Sequence, residues 1–295
     1  MSRHISVLPE EAISALNITK DSVIVDATAN GGGHSKKIRE QLGIGGLVVS
    51  LDVDPVAITA LQAIAQEPGA PMKVVCANFR AIHATLADQS LDGKVDGILA
   101  DLGWSTNQFE QGGRGFSFMH DEPLLMTYGD PETYPFTAHD IVNNWKEEDI
   151  ANVLYGYAEE RKSRAIAQAI VSARKAEDIS TSGQLARVIL TVLPKRGRIH
   201  PATKTFQALR IAVNDEYRAL ADFLSGSLLS LKPGGRLAII TFHSGEDRIV
   251  KDTFRQWSKD GQVELLTKKP KIAERAEVLS NPRARSAKLR IIQKT

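Results

Sequence analysis

The sequence predicts an α/β protein: a seven-stranded, doubly wound sheet interrupted by an all-helical insert. Three observations carry this. Short apolar, β-branched runs alternate with helix-like segments through the first third of the chain. That alternation stops between about residues 119 and 212, where only helical patterns occur. Strand-like runs then resume to the C-terminal end.

The early strands are read at residues 22–27 (SVIVDA), 46–52 (GLVVSLD), 73–79 (KVVCANF) and 95–101 (VDGILAD). Continuous apolar runs of this kind suit strands covered on both faces of a parallel sheet. Between them, SKKIREQL and PVAITALQAIAQ read as crossover helices. In the middle third, AHDIVNNWKEEDIANVLYGY, EERKSRAIAQAIVSARK and SGQLARVILTVL read as helices, the second with Ile166, Ile170 and Ala173 on one face. One longer helix is expected next. Phe206, Leu209, Val213, Tyr217, Leu220, Leu224 and Leu228 recur at steps of three and four until KPGG stops the pattern. Strands follow at residues 236–242 (RLAIITF), 263–267 (VELLT) and 288–294 (KLRIIQK), which completes seven. The expected division is a core of residues 1–118 and 213–295 around an insert of residues 119–212. Two sequential domains fit less well, because RLAIITF looks like the next strand of the first sheet.

Composition bounds the function classes. The chain has 295 residues, 42% hydrophobic and 24% charged, with a net charge of +2. So small a net charge does not by itself indicate a nucleic-acid partner; the distribution of cations decides. The single cysteine, Cys76, excludes an internal disulfide framework and a Cys-rich zinc site, and no metal is expected. In its strand-like setting Cys76 is expected to be a buried small hydrophobe. The N-terminal stretch MSRHISVLPEEAI is not apolar enough for a signal or anchor, so no membrane association and a reducing cytoplasm are expected.

The stretch VIVDATANGGGHS, residues 23–35, carries the first site signal. A strand ends in Asp26, and Gly31, Gly32 and Gly33 lead to His34 and Ser35 at a helix start. Such turns expose backbone N–H groups to a ligand; a plain tight turn is the alternative. Asp52 ends the next strand, where an acid accepts hydrogen bonds from both ribose hydroxyls. Its alternative is a helix cap, a role better suited to Asp54 because Pro55 follows. A nicotinamide dinucleotide and S-adenosylmethionine both fit a nucleoside-binding acid. The turn lacks G-x-G-x-x-G, which lowers the first. The fourth strand favours the second: Asp101, Leu102, Gly103 and Trp104 resemble a relaxed form of the acid-Pro-Pro-aromatic pattern of enzymes that methylate exocyclic amines on bases.

Each remaining candidate has two readings. Phe79 is core or stacks on adenine. His243, at the next strand's edge in TFHSGED, is structural or catalytic, and Glu246, Asp247 and Arg248 after it read as an ion-paired helix start. Trp104 stacks on a flipped base or packs against the insert. Lys195, Arg196, Arg198, His200 and Lys204 form one basic cluster; Arg283, Arg285, Lys288 and Arg290 form another. Both are solvated faces or RNA contacts. Two clusters flanking one cleft favour RNA.

The motifs GGGHS, DLGWSTNQFE, RGFSFM, HPATKTFQALRIAVNDE, FHSGEDRIVK and NPRARSAKLR occur in this order. Together they closely resemble the bacterial 16S ribosomal RNA cytosine-N4 methyltransferase family (MraW, also called RsmH), over nearly the whole chain. The resemblance implies a class I Rossmann-like methyltransferase core with an inserted helical, RNA-substrate domain. It implies methyl transfer from S-adenosyl-L-methionine to the N4 amine of a cytidine in the decoding region of 16S rRNA, naked or in a small ribosomal subunit. Monomer and homodimer both remain open. Family cofactor contacts fall on Gly32, Gly33, His34, Asp52, Phe79, Asp101 and Gln108; His34 and Gln108 come from the resemblance alone. Asp101 is the expected catalytic acceptor for the amine hydrogens, with backbone carbonyls near Leu102 assisting and His243 as a second catalytic candidate. Trp104, Arg196, Arg198, His200, Lys204, Arg283 and Arg285 are the expected RNA contacts.

The chain departs from the family pattern at several points. TAN (residues 28–30) replaces the usual approach to the turn. Leu125 and Thr127 stand where Asp and Arg are usual, which removes ion-pairing capacity. Trp104 replaces a small residue, and Gly245 replaces a leucine.

Overall fold

The computed structural model describes residues 6–103, 113–195, 197 and 200–295. The chain forms two compact units: Met1–Gly103 together with Tyr217–Thr295, and Trp104–Glu216. The expected insert, residues 119–212, lies within the second.

The first unit is built on a seven-stranded sheet of order β3-β2-β1-β4-β5-β7-β6. Its strands are β1 (Val23–Asp26), β2 (Leu47–Asp52), β3 (Met72–Cys76), β4 (Val95–Asp101), β5 (Leu231–Thr241), β6 (Val263–Leu265) and β7 (Lys288–Lys294). The first five are mutually parallel, and β7 runs antiparallel to both β5 and β6. Helices α1 (Pro9–Leu16), α2 (Gly33–Gln41), α3 (Pro55–Gln66) and α4 (Ile82–Asp88) serve the first four strands.

Alternating side chains send each central strand into two cores. Val25, Val49, Ile98 and Ile239 join Ile82, Leu86, Phe223 and Val250 on one face. Ile24, Val48, Leu99 and Ile240 join Leu16, Ile38, Leu289 and Ile291 on the other. The expectation of two covered faces fails for β3, an edge strand without a fully buried residue. Cys76, at its end, is exposed rather than buried. An edge strand has a neighbour on one side only, and apolar composition cannot supply the missing cover.

The second unit contains α5 (Ala138–Asn144), α6 (Glu147–Ala158), α7 (Ser163–Ala173), α8 (Ser182–Val192) and α9 (Thr203–Asn214). Their apolar stripes meet in one core that includes Ile141, Leu154, Ile166, Ile170, Leu185, Ile189, Phe206 and Leu209. Capping boxes Thr137/Asp140 and Thr181/Gln184 start α5 and α8. Among its described residues the only strand-like pairing is an isolated bridge, Pro123 to Thr181.

The single long helix expected over 206–228 is two helices, α9 and α10 (Glu216–Ser230). Asp215 between them adopts a left-handed conformation, φ 50°, and its N–H closes α9 on Ala212 and Ile211 carbonyls. The apolar spacing runs through the break because the stripes of α9 and α10 serve different cores. Asn214-Asp215, two residues that tolerate left-handed backbone, was the available signal. Lys232 to Gly235 lie inside β5, where pairing jumps from Val95–Leu231 to Gly97–Arg236. The remainder of the C-terminal region holds α11 (Ser244–Lys259) and α12 (Arg275–Ser280). Among the described residues no helix is long and apolar enough to cross a membrane.

Candidate active site at the carboxyl edge of the sheet

From β1 the chain proceeds outward through β2 and β3; from β4 it proceeds the other way into β5. The switch between β1 and β4 opens a crevice at the strands' carboxyl ends, the usual ligand position in such sheets. Three acids end the strands there: Asp52 on β2, Asp26 on β1 and Asp101 on β4.

The loop after β1 ties these strand ends together. Ala27 donates its N–H to Leu99 of β4 (2.9 Å), and Ala29 to Leu51 of β2 (3.0 Å). Between them, Thr28 Oγ1 accepts the N–H of Asp101 at 2.7 Å. Asn30 turns into the left-handed region, φ 47°, and gives its N–H to Asp52 Oδ2 at 2.7 Å. Its side-chain amide donates to the Thr28 carbonyl at 3.0 Å. The TAN departure is therefore a brace for two site acids.

Gly32 caps α2 with φ 80°, and a Cβ there would collide with Ile64 Cδ1. A Cβ on Gly33 would collide with Ser6 Oγ. Gly32 is thus required by its left-handed backbone, whereas at Gly33 the Ser6 hydroxyl can rotate away. His34 follows, 4% exposed, with neither ring nitrogen hydrogen-bonded among the described residues. Burial, helped by nearby Lys37, pushes its imidazole down to about 4, so it is neutral at physiological pH.

Asp54, not Asp52, caps α3, accepting the Val56 N–H at 2.9 Å. Asp52 accepts backbone N–H groups from Asn30 and, at 2.9 Å, from Asp54, and Val53 adds a third backbone hydrogen bond. A carboxylate has about four lone-pair positions, which leaves capacity for an incoming hydroxyl. Burial raises this carboxyl above its ordinary range, against those backbone hydrogen bonds. Phe79, just after β3, is half-buried and meets Phe223 edge-on, ring centres 5.3 Å apart.

Asp101 is 7% exposed, and its Oδ1 has no hydrogen-bond partner among the described residues. Burial pushes its carboxyl up to about 7; Arg283 opposes that, while the charges of Asp26 and Glu246 add to it. Asp26 was not among the expected site residues, although its place at the end of the first strand was visible. It accepts the Ser35 hydroxyl at 2.6 Å, and burial still holds it up at about 6.

His243 caps α11. Its Nδ1 accepts the Glu246 N–H at 3.3 Å, and Glu246 Oε2 accepts the N–H groups of Phe242 (2.9 Å) and His243 (3.3 Å). Its Nε2 lies 3.1 Å from Glu246 Oε1. The structural reading of His243 thus gains a specific contact, a helix cap through Nδ1, while its Nε2 has no hydrogen-bond partner among the described residues. The Tyr217 ring lies 6.1 Å from His243, and the Tyr217 hydroxyl fills the space a Cβ on Gly245 would need. That occupancy accounts for glycine where leucine is usual.

The cations separate by what holds them. Arg290 and Lys288 bind Asp247 at 2.7 and 3.1 Å. Burial pushes the Asp247 carboxyl up, but those bonds outweigh it and hold the group below its ordinary range. Arg285 is exposed, and the Arg283 guanidinium sits 5.9 Å over the Phe242 ring. In the second unit, the His200 ring stacks on Phe118 at 4.3 Å and Lys204 donates to the Glu159 carbonyl at 3.0 Å. Arg196, Arg198, Trp104 and Gln108 lie outside the described residues. Around Leu125 and Thr127, Arg210 grips Glu216 through both carboxylate oxygens, and Tyr128 donates its hydroxyl to Glu216 at 2.7 Å. Thr127 donates its hydroxyl to the Gly129 carbonyl at 3.0 Å; nothing in the structure accounts for the loss of the usual Asp and Arg.

The whole chain, residues 1–295, matches the model of a family described as the MraW methylase family. It is similar to ribosomal RNA small subunit methyltransferase H of Symbiobacterium thermophilum, 44% identical over 309 residues, covering 99% of this chain and 96% of that protein. The protein of the same name from Acidobacterium capsulatum is 44% identical over 302 residues, covering 99% and 98%.

Proposed function

This chain belongs to the MraW methylase family, and on that premise we propose that it methylates the N4 amine of a cytidine in the decoding region of small-subunit ribosomal RNA, using S-adenosylmethionine. The observation that carries the chemical reading is Asp101: a buried acid at the switch point, its backbone fixed by Thr28 and one carboxylate oxygen without a partner among the described residues.

The site residues fit an adenosyl cofactor. Asp52 keeps acceptor capacity for a ribose hydroxyl, Phe79 presents a half-buried ring for adenine, and the ring nitrogens of His34, without hydrogen-bond partners among the described residues, lie buried in the glycine turn's helix. When bound, the cofactor supplies a methyl group already activated on a sulfonium.

The chain's task is then the nucleophile. Cytosine's exocyclic nitrogen delocalises its lone pair into the ring. An acceptor aimed at its N–H groups localises that pair and takes the proton as the new bond forms. Asp101, held near pH 7 by burial, is poised between holding and releasing a proton at working pH. Backbone carbonyls near Leu102 supply a second acceptor, on a chain fixed by the Leu102 N–H to Ile240 bond at 2.9 Å. Exposed Arg285, together with Arg196 and Arg198, contacts RNA phosphates. The protein works in the cytoplasm on rRNA or on the small subunit.

The test is methyl transfer from labelled cofactor to small subunits lacking the mark, followed by mapping of the methylated nucleoside. Asp101→Asn should bind cofactor and lose most transfer. Full activity in that variant, or label on another atom, would sink the reading.

A further inference from the structure

We propose that Arg283 is a positioning residue for Asp101, a cation held on the Phe242 ring to keep the acceptor carboxylate available, and not a contact to RNA phosphate. This rests on the reading of Asp101 given above.

The geometry runs outward from the strand ends. Phe242 follows β5, and its N–H is pinned to Glu246 Oε2 at 2.9 Å. Its ring lies 3.3 Å from where a Cβ on Gly103 would stand, so it touches the chain two residues beyond Asp101. The Arg283 guanidinium carbon stands 5.9 Å from the centre of that same ring. A planar guanidinium over an aromatic face is a favourable and orienting contact. The backbone of Arg283 is fixed as well. It lies in a short 3-10 turn, Pro282–Ser286, and gives its N–H to the capping Asn281 side chain at 3.3 Å. Ala284 and Ala287 beside it are buried.

Position alone separates the four cations of NPRARSAKLR. Arg290 and Lys288 neutralise Asp247, and Arg285 is exposed. Arg283 is half-buried and anchored beside the crevice. Its charge also has work there. The groups acting on Asp101 are Asp26 from β1, Glu246 from α11 and Arg283; burial and the two acids favour the protonated form, and Arg283 opposes them. The negative charges of Asp26 and Glu246 disfavour ionisation of Asp101, and the positive charge of Arg283 favours it. A protonated Asp101 could not accept the amine hydrogen.

The test uses full-length protein with Arg283→Gln, Arg283→Lys and Arg285→Gln. Three quantities are read: the pH profile of single-turnover transfer at saturating RNA and cofactor, the carboxyl-carbon NMR titration of Asp101, and the salt dependence of RNA binding. Arg283→Gln should displace the acid limb and the Asp101 titration upward by about one pH unit or more, with the salt slope unchanged. Arg283→Lys should restore much of the shift. Arg285→Gln should lower the salt slope by roughly one and leave the pH profile in place. If Gln disturbs packing on Phe242, Arg283→Met keeps an apolar stem there and carries the same expectation. An Asp101 titration unmoved in Arg283→Gln, with weaker RNA binding and a lower salt slope, would overturn the proposal. Activity retained in Asp101→Asn would instead overturn the acceptor reading, which the NMR result does not depend on.

Discussion

The hydroxyl of Thr28 accepts the backbone N–H of Asp101 at 2.7 Å, which joins the loop after the first strand to the acid that ends the fourth. The bond fixes the main chain of the proposed acceptor without occupying its carboxylate. Thr28→Val keeps the shape and removes the acceptor, leaving a buried N–H unpaired. That should cost about 1–3 kcal/mol in denaturant unfolding and lower single-turnover transfer more than cofactor binding. Thr28→Ser restores an acceptor and should recover most of both. Unfolding and transfer by Thr28→Val indistinguishable from the parent would show the bond to be idle.

The sheet was legible because β1, β2, β4 and β5 are apolar runs between clear breakers, and the helices of the middle third because their apolar residues repeat at three and four. Asp52 and Asp101 were legible because a strand's end is visible in sequence and fixes which edge a residue occupies. What could not be read was pairing between segments far apart. Nothing in NGGG shows that Asn30 will brace Asp52 across 22 residues. Nothing in NPRARSAKLR shows that Arg290 and Lys288 belong to Asp247 while Arg283 sits on Phe242. Cys76 was misjudged because strand composition does not reveal which strand is the edge. His243 was ambiguous because a capping and a catalytic histidine look alike in sequence; the bond from the Glu246 N–H to Nδ1 reveals its capping contact.

Gly245 and Tyr217 share one space, since the tyrosine hydroxyl occupies the place of the missing Cβ. Gly245→Leu alone forces the ring aside and should destabilise the protein by about 1–3 kcal/mol through overpacking, despite the better helix former. Tyr217→Leu alone leaves a gap beside His243. The double variant should be markedly less destabilised than the two singles added together, because the second change removes the first one's clash. A double-mutant cycle in urea measures that coupling. Strict additivity would mean that the two positions do not compete.

The site acids also set how stability responds to pH. Folded Asp101 and Asp26 titrate at about 7 and about 6, against 3.8 for the ordinary carboxyl, and Asp52 is raised as well. Between about pH 4 and 7 the folded chain therefore holds protons at these acids that the unfolded chain has released. Their contribution is fully present below the unfolded value and is lost as pH rises through the folded one. His34, lowered to about 4, and the more exposed His200, also lowered, act in the opposite direction. Three raised acids outweigh them, so the ligand-free protein should lose thermal stability from pH 5 to pH 8. Asp101→Asn removes the largest of the raised values. It should flatten that decline and melt higher than the parent at pH 8, while losing methyl transfer. Melting curves across this range decide the matter: an Asp101→Asn protein less stable than the parent at pH 8 would mean that the buried carboxylate carries no charge penalty in the fold.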